Sequence, residues 1–202
     1  MHDLNRVFWQ ESAAKYPRYF NDPSTVIEFG SYYVNGSIRE YFNCATHVGV
    51  DWRPGRYVDV VSLAHEVPFP PPLFDTVASA SLLEHDPYWE LTLAKMLAVM
   101  KPDGMLVITW GAAMNWPHEH HSAPDGEFHA LQAGHVLRFM EQAGVYIHDF
   151  RYERSVYYKR PPEQLAKWNT GLGECALVVF KSPEFAVGES FRDPLMNADR
   201  ID

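Results

Sequence analysis

The stretch Val26-Ile-Glu-Phe-Gly-Ser-Tyr-Tyr-Val-Asn-Gly-Ser-Ile-Arg39 decides the fold of this chain. About 20 residues after its first glycine comes Val48-Gly-Val-Asp51. The two together predict a strand, a glycine turn, the start of a helix, and an acid at the end of the next strand. Gly30 would let the backbone turn tightly and approach a ligand, and the N–H groups at the helix start would face that ligand. Since Asp51 can accept two hydrogen bonds from a ribose diol, the pattern indicates a site for a cofactor that contains adenosine.

The turn differs from the nicotinamide dinucleotide fingerprint. A G-x-G-x-x-G pattern requires glycines at the positions of Tyr32 and Asn35, where a pyrophosphate needs close backbone approach. Glu28, two residues before Gly30, would repel a diphosphate and instead suits a ligand that carries a cationic amine. A nicotinamide-dependent reductase is therefore disfavoured.

The stretch resembles motif I of the class I S-adenosylmethionine-dependent methyltransferases, in which an acid precedes Gly-x-Gly-x-Gly. It is most similar to a type 11-like subgroup in which a Val-Asn-Gly-Ser turn replaces the later glycines. Residues 58–69 resemble the family segment that lines the adenine pocket, and residues 74–85 resemble its fourth strand and following loop. Residues 97–109 resemble its next helix, tight turn and fifth strand. The resemblance covers residues 25–150, with the motifs in the family order.

The resemblance implies S-adenosylmethionine as the cofactor and assigns contacts to it. Glu28 would reach the methionine amino group through water, Asp51 would bind the ribose diol, and Trp52 would stack on adenine. Leu63 stands where the family often has an Asp for the adenine amino group, so backbone groups, or His65 and Glu66, would take that role. The other implied contacts lie in turns or at strand ends: Gly30, Ser31, Tyr32, Asn35, Gly36, Ala64, Ser79 and Ala80.

The bulky pair Tyr32-Tyr33 departs from the glycine that is usual in the family. A ring at this point either stacks over the cofactor or closes the mouth of the pocket. A ring that filled the methionine channel would favour a different function, namely a non-catalytic module that binds S-adenosylmethionine or a nucleoside with the same fold. That alternative stays open because fold alone does not establish activity.

Histidines are the candidate catalytic residues. Methyl transfer is an in-line displacement at a sulfonium carbon, so the protein mainly supplies proximity and orientation. A hydroxyl acceptor also needs a base to take its proton, and histidine suits that task. His85 follows the fourth predicted strand, while His118 and His120 belong to Pro117-His-Glu-His-His121 after the fifth. Adjacent histidines on a loop rarely face one ion, so we expect a base in this loop and no metal site.

Aromatic residues in the expected lid regions suit sugar rings or planar metabolites, although small α/β domains also use such residues for packing. These aromatic residues are Trp116, Phe128, Tyr152, Tyr157, Tyr158 and Trp168, and the polar Asn115 lies in the same regions. The expected activity is therefore methyl transfer to a small molecule or glycan, at oxygen.

Composition narrows the range of partners. A chain of 202 residues, 47% of them hydrophobic, fits one domain with a substantial core. Its net charge of −9 argues against a nucleic-acid substrate, because phosphate contacts need clustered Lys and Arg. No apolar run approaches the roughly 18 residues of a membrane span, and residues 1–5 lack signal-peptide character. Cys44 and Cys175 are framed by apolar residues, which predicts buried free thiols in a reducing cytoplasm. The sequence leaves open whether the protein forms a homodimer.

Alternating strand and helix patterns predict an α/β fold with a mainly parallel sheet. The resemblance implies a Rossmann-like, doubly wound sheet of seven strands in which the last strand is antiparallel. We expect strands near residues 25–29, 46–50, 57–61, 75–79, 104–110, 145–151 and 174–181. We expect helices near residues 37–42, 88–100 and 130–143. Residues 1–182 would form a single methyltransferase domain with residues 1–24 as an N-terminal cover segment, and residues 183–202 would form a tail.

Overall fold

The computed structural model describes residues 3–111, 129, 131–154 and 173–190. The strands are β1 Thr25–Phe29, β2 Thr46–Asp51, β3 Val60–Val61, β4 Phe74–Ala80, β5 Met100–Gly111, β6 Tyr146–Arg154 and β7 Gly173–Phe180. The helices are α1 Asp3–Lys15, α2 Pro17–Phe20, α3 Trp89–Val99 and α4 Ala133–Gln142. Single 3₁₀ turns cover Ile38–Tyr41, Ala64–Glu66, Leu83–His85 and Pro183–Phe185.

The seven strands form one sheet in the order β3-β2-β1-β4-β5-β7-β6. The first five strands pair in parallel, whereas β7 runs antiparallel to both β5 and β6. The predicted α/β sheet with an antiparallel last strand is confirmed. Because the parallel strands all end at one edge, the loops after β1, β2, β4 and β5 meet there, at the usual ligand edge of such a sheet.

Helices cover both faces of the sheet. On one face, α3 and α4 pack against β1, β5 and β7 through buried residues such as Leu93, Val136 and Met140. On the other face, α1 and α2 place Trp9 and Phe20 against β4, β5 and β7. The N-terminal segment thus forms a layer of the core, and its role as a cover over the cofactor stays a prediction.

The first residues of the predicted tail lie against the same layer. Phe185 and Ala186 pack on the α1 face, and a ring nitrogen of His148 lies 3.1 Å from the carbonyl of Val187. In the part of the chain that the structure describes, no helix is long and apolar enough to span a bilayer. Both cysteines are free thiols; Cys175 is buried as expected, whereas Cys44 is only half-buried.

The helix expected at residues 37–42 is wrong in type and shorter than predicted. It is a single 3₁₀ turn, in which the Ser37 hydroxyl accepts from the Arg39 N–H at 3.1 Å. Phe42 then leaves the turn and stacks on Phe20, with ring centroids 4.5 Å apart, while the Asn43 N–H donates to the Phe20 carbonyl at 2.8 Å. Because these contacts draw the chain towards α2, no longer helix develops after motif I.

The strand expected at residues 57–61 is also shorter than predicted, since only Val60–Val61 pairs with β2. Tyr57 has a left-handed backbone with φ of 69°, so the chain turns at this residue. A Cβ on Gly49 of β2 would lie 1.9 Å from the Tyr57 carbonyl oxygen. The turn therefore presses closely against β2, and Gly49 makes that approach sterically feasible.

Candidate functional site

The turn after β1 is fixed at the ligand edge by β2. The N–H groups of Gly30 and Ser31 both donate to the carbonyl of Val50, at 2.9 and 3.0 Å. Gly30 adopts φ of 77°, and a Cβ there would meet Leu82 at 3.1 Å, so glycine is required for both backbone and space. The Ser31 side chain is buried against Gly49. Further along the turn, Asn35 is exposed.

Glu28 is held by a residue that sequence reasoning missed. One of its carboxylate oxygens lies 2.8 Å from Nε2 of His47, and both side chains are almost fully buried. The Phe42 ring and the His47 imidazole pack nearly perpendicular to each other, with ring centroids 5.1 Å apart. His47 lies on β2 and pairs with Val26 of β1. The contact between His47 and Glu28 could be predicted only if this register between the two strands were known. The contact of Glu28 with the methionine amino group stays a prediction, and one Glu28 oxygen already has a partner.

We expect loss of the His47 side chain to disturb motif I through Glu28. His47→Phe should lower the free energy of unfolding by about 1–2 kcal/mol, because a buried carboxylate then lacks its donor. His47→Gln keeps an N–H donor and should restore most of that loss. Urea unfolding measures the effect, and calorimetry with S-adenosylhomocysteine measures its consequence for binding. If His47→Phe costs as much in a Glu28→Gln background as in the wild type, the two side chains do not act together.

Asp51 ends β2 at the ligand edge, as the sequence predicts. One of its carboxylate oxygens accepts from the Tyr32 N–H at 3.3 Å, and the other accepts from the Arg53 N–H at 3.2 Å. Burial raises the pKa of this carboxyl group. Each carboxylate oxygen has a second lone pair, so a ribose diol could bind while the two backbone bonds hold Asp51 in place.

The Tyr32 ring lies against the turn that follows β2. The Arg53 guanidinium lies over the ring, 3.7 Å from its centroid. A Cβ on Gly55 would be 2.3 Å from the ring, so glycine is needed on its other side. Trp52 is more than a third exposed beside the same turn. Stacking of Trp52 on adenine stays a prediction, and the Tyr32 ring is positioned by residues of the turn itself.

The expected adenine segment follows β3. The Ser62 N–H donates to the carbonyl of Asp51 at 2.9 Å, which ties this segment to the end of β2. Leu63 and Ala64 are half-buried there. The His65 ring lies 4.6 Å from the Tyr88 ring, centroid to centroid, at the start of α3. This contact links the adenine segment to the loop after β4.

At the end of β4, the buried Ser79 hydroxyl donates to the carbonyl of Phe29 at 2.9 Å. This bond ties together the ends of β1 and β4 below the cofactor turn, and Ala80 lies half-buried at the strand end. The Ser81 N–H donates to the carbonyl of Thr109 at 2.9 Å, which connects the same loop to β5. The Ser79 side chain therefore has a structural partner.

The loop after β4 brings His85 to the ligand edge, where it is buried in the 3₁₀ turn. His118 and His120 lie outside the described residues. Among the residues that are described, no three or more His, Cys, Asp or Glu side chains gather as a metal site.

Two buried carboxylates at the same edge were also missed. One Glu84 oxygen accepts from the Gly111 N–H at 2.9 Å, and Gly111 pairs with Glu174 across β5 and β7. Asn5 of α1 lies with its side-chain nitrogen 3.3 Å from a Glu174 oxygen. Burial raises the pKa of Glu84 to about 7. Burial and the Glu84 charge together raise the pKa of Glu174 to about 8.

Part of the sequence matches the model of a known protein family. A family model described as a methyltransferase domain matches residues 34–108. No curated protein matches the sequence.

Solved structures share the fold at low sequence identity. A putative sarcosine dimethylglycine methyltransferase from Galdieria sulphuraria is similar with a TM-score of 0.65 and 14% identity, covering 89% of this chain and 86% of that one. The 1,6-didemethyltoxoflavin-N1-methyltransferase from Burkholderia thailandensis was solved with S-adenosylhomocysteine. It is similar with a TM-score of 0.57 and 17% identity, covering 88% of this chain and 82% of that one. The [4+2]-cyclase SpnF is similar with a TM-score of 0.62 and 16% identity, covering 90% of this chain and 82% of that one.

The family model and the structural relatives agree on a methyltransferase domain. The seven-stranded sheet and the order of the motifs are consistent with that domain. Residues 34–108 are thus similar to a methyltransferase domain, and the described residues share the fold of solved methyltransferases.

Proposed function

We propose that this protein is an S-adenosylmethionine-dependent methyltransferase that acts on a hydroxyl oxygen of a small molecule or glycan. The observation that carries the proposal is the acidic acceptor edge, where Glu84 is buried and no basic side chain of the described residues pairs with it. Such an edge disfavours a polyanionic acceptor, and the net charge of −9 acts in the same direction. A nucleic-acid substrate is therefore not part of the proposal.

The chain's own residues supply binding and orientation. Bound S-adenosylmethionine would bring a methyl group on a sulfonium, which is already an excellent leaving group. Gly30 and Asp51, at the ends of β1 and β2, would hold the adenosine part, and the loop after β4 would orient the acceptor. When the acceptor oxygen displaces sulfur at that methyl group, a base of the protein would take the hydroxyl proton. We propose His118 or His120 as that base.

Methyl transfer can be tested with methyl-labelled S-adenosylmethionine and a panel of acceptors. We expect labelled product from hydroxylated small molecules or sugars, and none from RNA. Nuclear magnetic resonance of the product would identify the methylated atom. Label found on nitrogen or carbon would overturn the assignment to oxygen, and label incorporated into RNA would overturn the acceptor class.

The role of Asp51 can be tested without an acceptor. Asp51→Ala should weaken S-adenosylhomocysteine binding by about 1.5–3 kcal/mol, because two charge-assisted hydrogen bonds to the ribose are lost. Calorimetry measures this change. Asp103→Ala is a matched control, since Asp103 is a partly exposed carboxylate near the opposite edge of the sheet, paired with Arg18. Equal affinities for both variants and the wild type would exclude Asp51 as the ribose residue.

A further inference from the structure

A buried pair of ionisable side chains, Glu28 on β1 and His47 on β2, lies at the base of the turn after β1. Nε2 of His47 is 2.8 Å from one Glu28 oxygen, and the side chains of His47 and Glu28 are 5% and 4% exposed. Gly30, where the chain turns, follows Glu28 by two residues. The charge of this pair would therefore act on a ligand that lies in the turn.

The surroundings of the His47 imidazole limit where its proton can reside. Nδ1 is buried and has no hydrogen-bond partner in the part of the chain that the structure describes. The Phe42 ring packs nearly perpendicular to the imidazole. The Arg39 guanidinium donates to the backbone carbonyl of His47 at 2.5 Å and pairs with Asp59 at 3.4 Å. Because Arg39 already brings a positive charge to this strand, a second positive charge on the imidazole is disfavoured.

Three arrangements of protons satisfy the contact between Glu28 and His47. An imidazolium beside an ionised Glu28 would bury an Nδ1–H donor without an acceptor. A protonated Glu28 that donates to Nε2 would do the same, because the neutral imidazole then carries its proton on Nδ1. A neutral imidazole that donates Nε2–H to an ionised Glu28 leaves only a lone pair on Nδ1. Since unpaired buried N–H groups are rarer in proteins than unpaired acceptors, the geometry favours this third arrangement, in which the pair keeps one negative charge.

We propose that His47 is a positioning residue that holds Glu28 ionised and oriented towards the ammonium group of the cofactor's methionine part, an inference that rests on the function proposed above. Within the described residues, the second Glu28 oxygen has no hydrogen-bond partner, so it remains available to a ligand. An ionised carboxylate makes stronger hydrogen bonds than a neutral group and also attracts the ammonium by charge. His47 thereby sets the preference of the site for ligands that carry the amino-acid end of the cofactor.

The first experiment compares two ligands by calorimetry on the full chain, S-adenosylhomocysteine and 5′-methylthioadenosine. Both contain the adenosine thioether, but only the first carries the amino-acid group. We expect the wild type to bind S-adenosylhomocysteine at least about tenfold more tightly, because the ammonium interacts with an ionised carboxylate. His47→Phe should remove most of this preference and leave the affinity for 5′-methylthioadenosine nearly unchanged.

Two further variants separate positioning from general stability. His47→Gln keeps an N–H donor for Glu28, so it should restore the preference for S-adenosylhomocysteine. Thr46→Val changes the exposed neighbour of His47 on β2 and should behave like the wild type. Equal losses of affinity for both ligands in His47→Phe, or an unchanged preference in that variant, would overturn the proposal.

The second experiment is nitrogen NMR of the protein labelled with ¹⁵N at histidine, at neutral pH. We expect His47 to give the two widely separated ring-nitrogen signals of a neutral imidazole with its proton on Nε2. The spectrum of His47→Gln provides the assignment, which keeps the test valid even where His47→Phe does not fold. An imidazolium, or a neutral ring with its proton on Nδ1, would overturn the proposal.

Failure of this inference and failure of the proposed function give different results. Wild-type protein that binds neither ligand would overturn the cofactor assignment and this inference together. Wild-type protein that binds both ligands with equal affinity would refute only the role of Glu28 and His47, because adenosine binding would then be intact.

Discussion

The protein should lose stability as the pH rises from about 5 to about 8.5, and Glu84→Gln should remove much of this loss. The ordinary pKa of a glutamate is 4.5, whereas burial raises that of Glu84 to about 7 in the folded state. A carboxyl group whose folded pKa is raised contributes stability that is full below pH 4.5 and lost as the pH rises through about 7. Since one pKa unit corresponds to about 1.4 kcal/mol, Glu84 alone should account for about 3 kcal/mol.

Urea unfolding at a series of pH values measures this effect as the difference between wild type and variant. Glu84→Gln keeps an oxygen that can accept from Gly111, so the variant should match the wild type near pH 5 and exceed it near pH 8.5. Glu174→Gln should behave in the same direction, with its transition near pH 8. Glu90→Gln, at an exposed position, should leave the profile unchanged. A Glu84→Gln profile parallel to that of the wild type would show that Glu84 is already ionised in the folded protein at neutral pH.

Loss of the catalytic base should have the largest effect on rate. A hydroxyl with a pKa well above 7 attacks poorly until a neighbour takes its proton, so removing the base should slow methyl transfer by roughly 10²–10⁴-fold. We therefore expect His118→Ala or His120→Ala to show this loss, measured by single-turnover transfer from methyl-labelled S-adenosylmethionine to the acceptor identified in the panel. Affinity for S-adenosylhomocysteine should change little, because Gly30 and Asp51 are untouched.

His85→Ala provides the comparison for the two loop variants. If both loop variants transfer methyl groups at the wild-type rate, the loop does not supply the base, and His85 becomes the next candidate. Activity that disappears with a chelator and returns with zinc or magnesium would instead show that the histidine loop binds a metal. A proportional loss of cofactor affinity would show that the substitutions act on cofactor binding.

The sequence alone determined the order of the elements along the chain. Local patterns predicted the strands that end next to Gly30 and at Asp51, and the helix and strand within residues 97–109, and the structure confirms them. Such patterns depend on residues close in the chain, where glycine conformations, strand ends and turn residues express the same preferences in any context. Composition also set the acidic charge on which the choice of acceptor class depends.

Two local predictions failed where distant contacts overrode local preference. Ser37 indicates a helix start, yet the stacking of Phe42 on Phe20 ends that helix after one turn. The strand before Val60 is cut short because the Tyr57 turn packs on Gly49. Neither contact can be derived from the local pattern of either partner.

Only the tertiary structure decided which polar residues share a buried environment. Glu28 meets His47 because β1 and β2 pair in one particular register, and a shift of one residue would place these side chains on opposite faces. Asn5 and Glu174 are 169 residues apart, and they meet because α1 packs on the face where β7 begins. Glu84 becomes buried by the ends of β4 and β5 in the same way. Burial and charge proximity are properties of the assembled sheet, so the pKa values that they set could not be predicted from the chain.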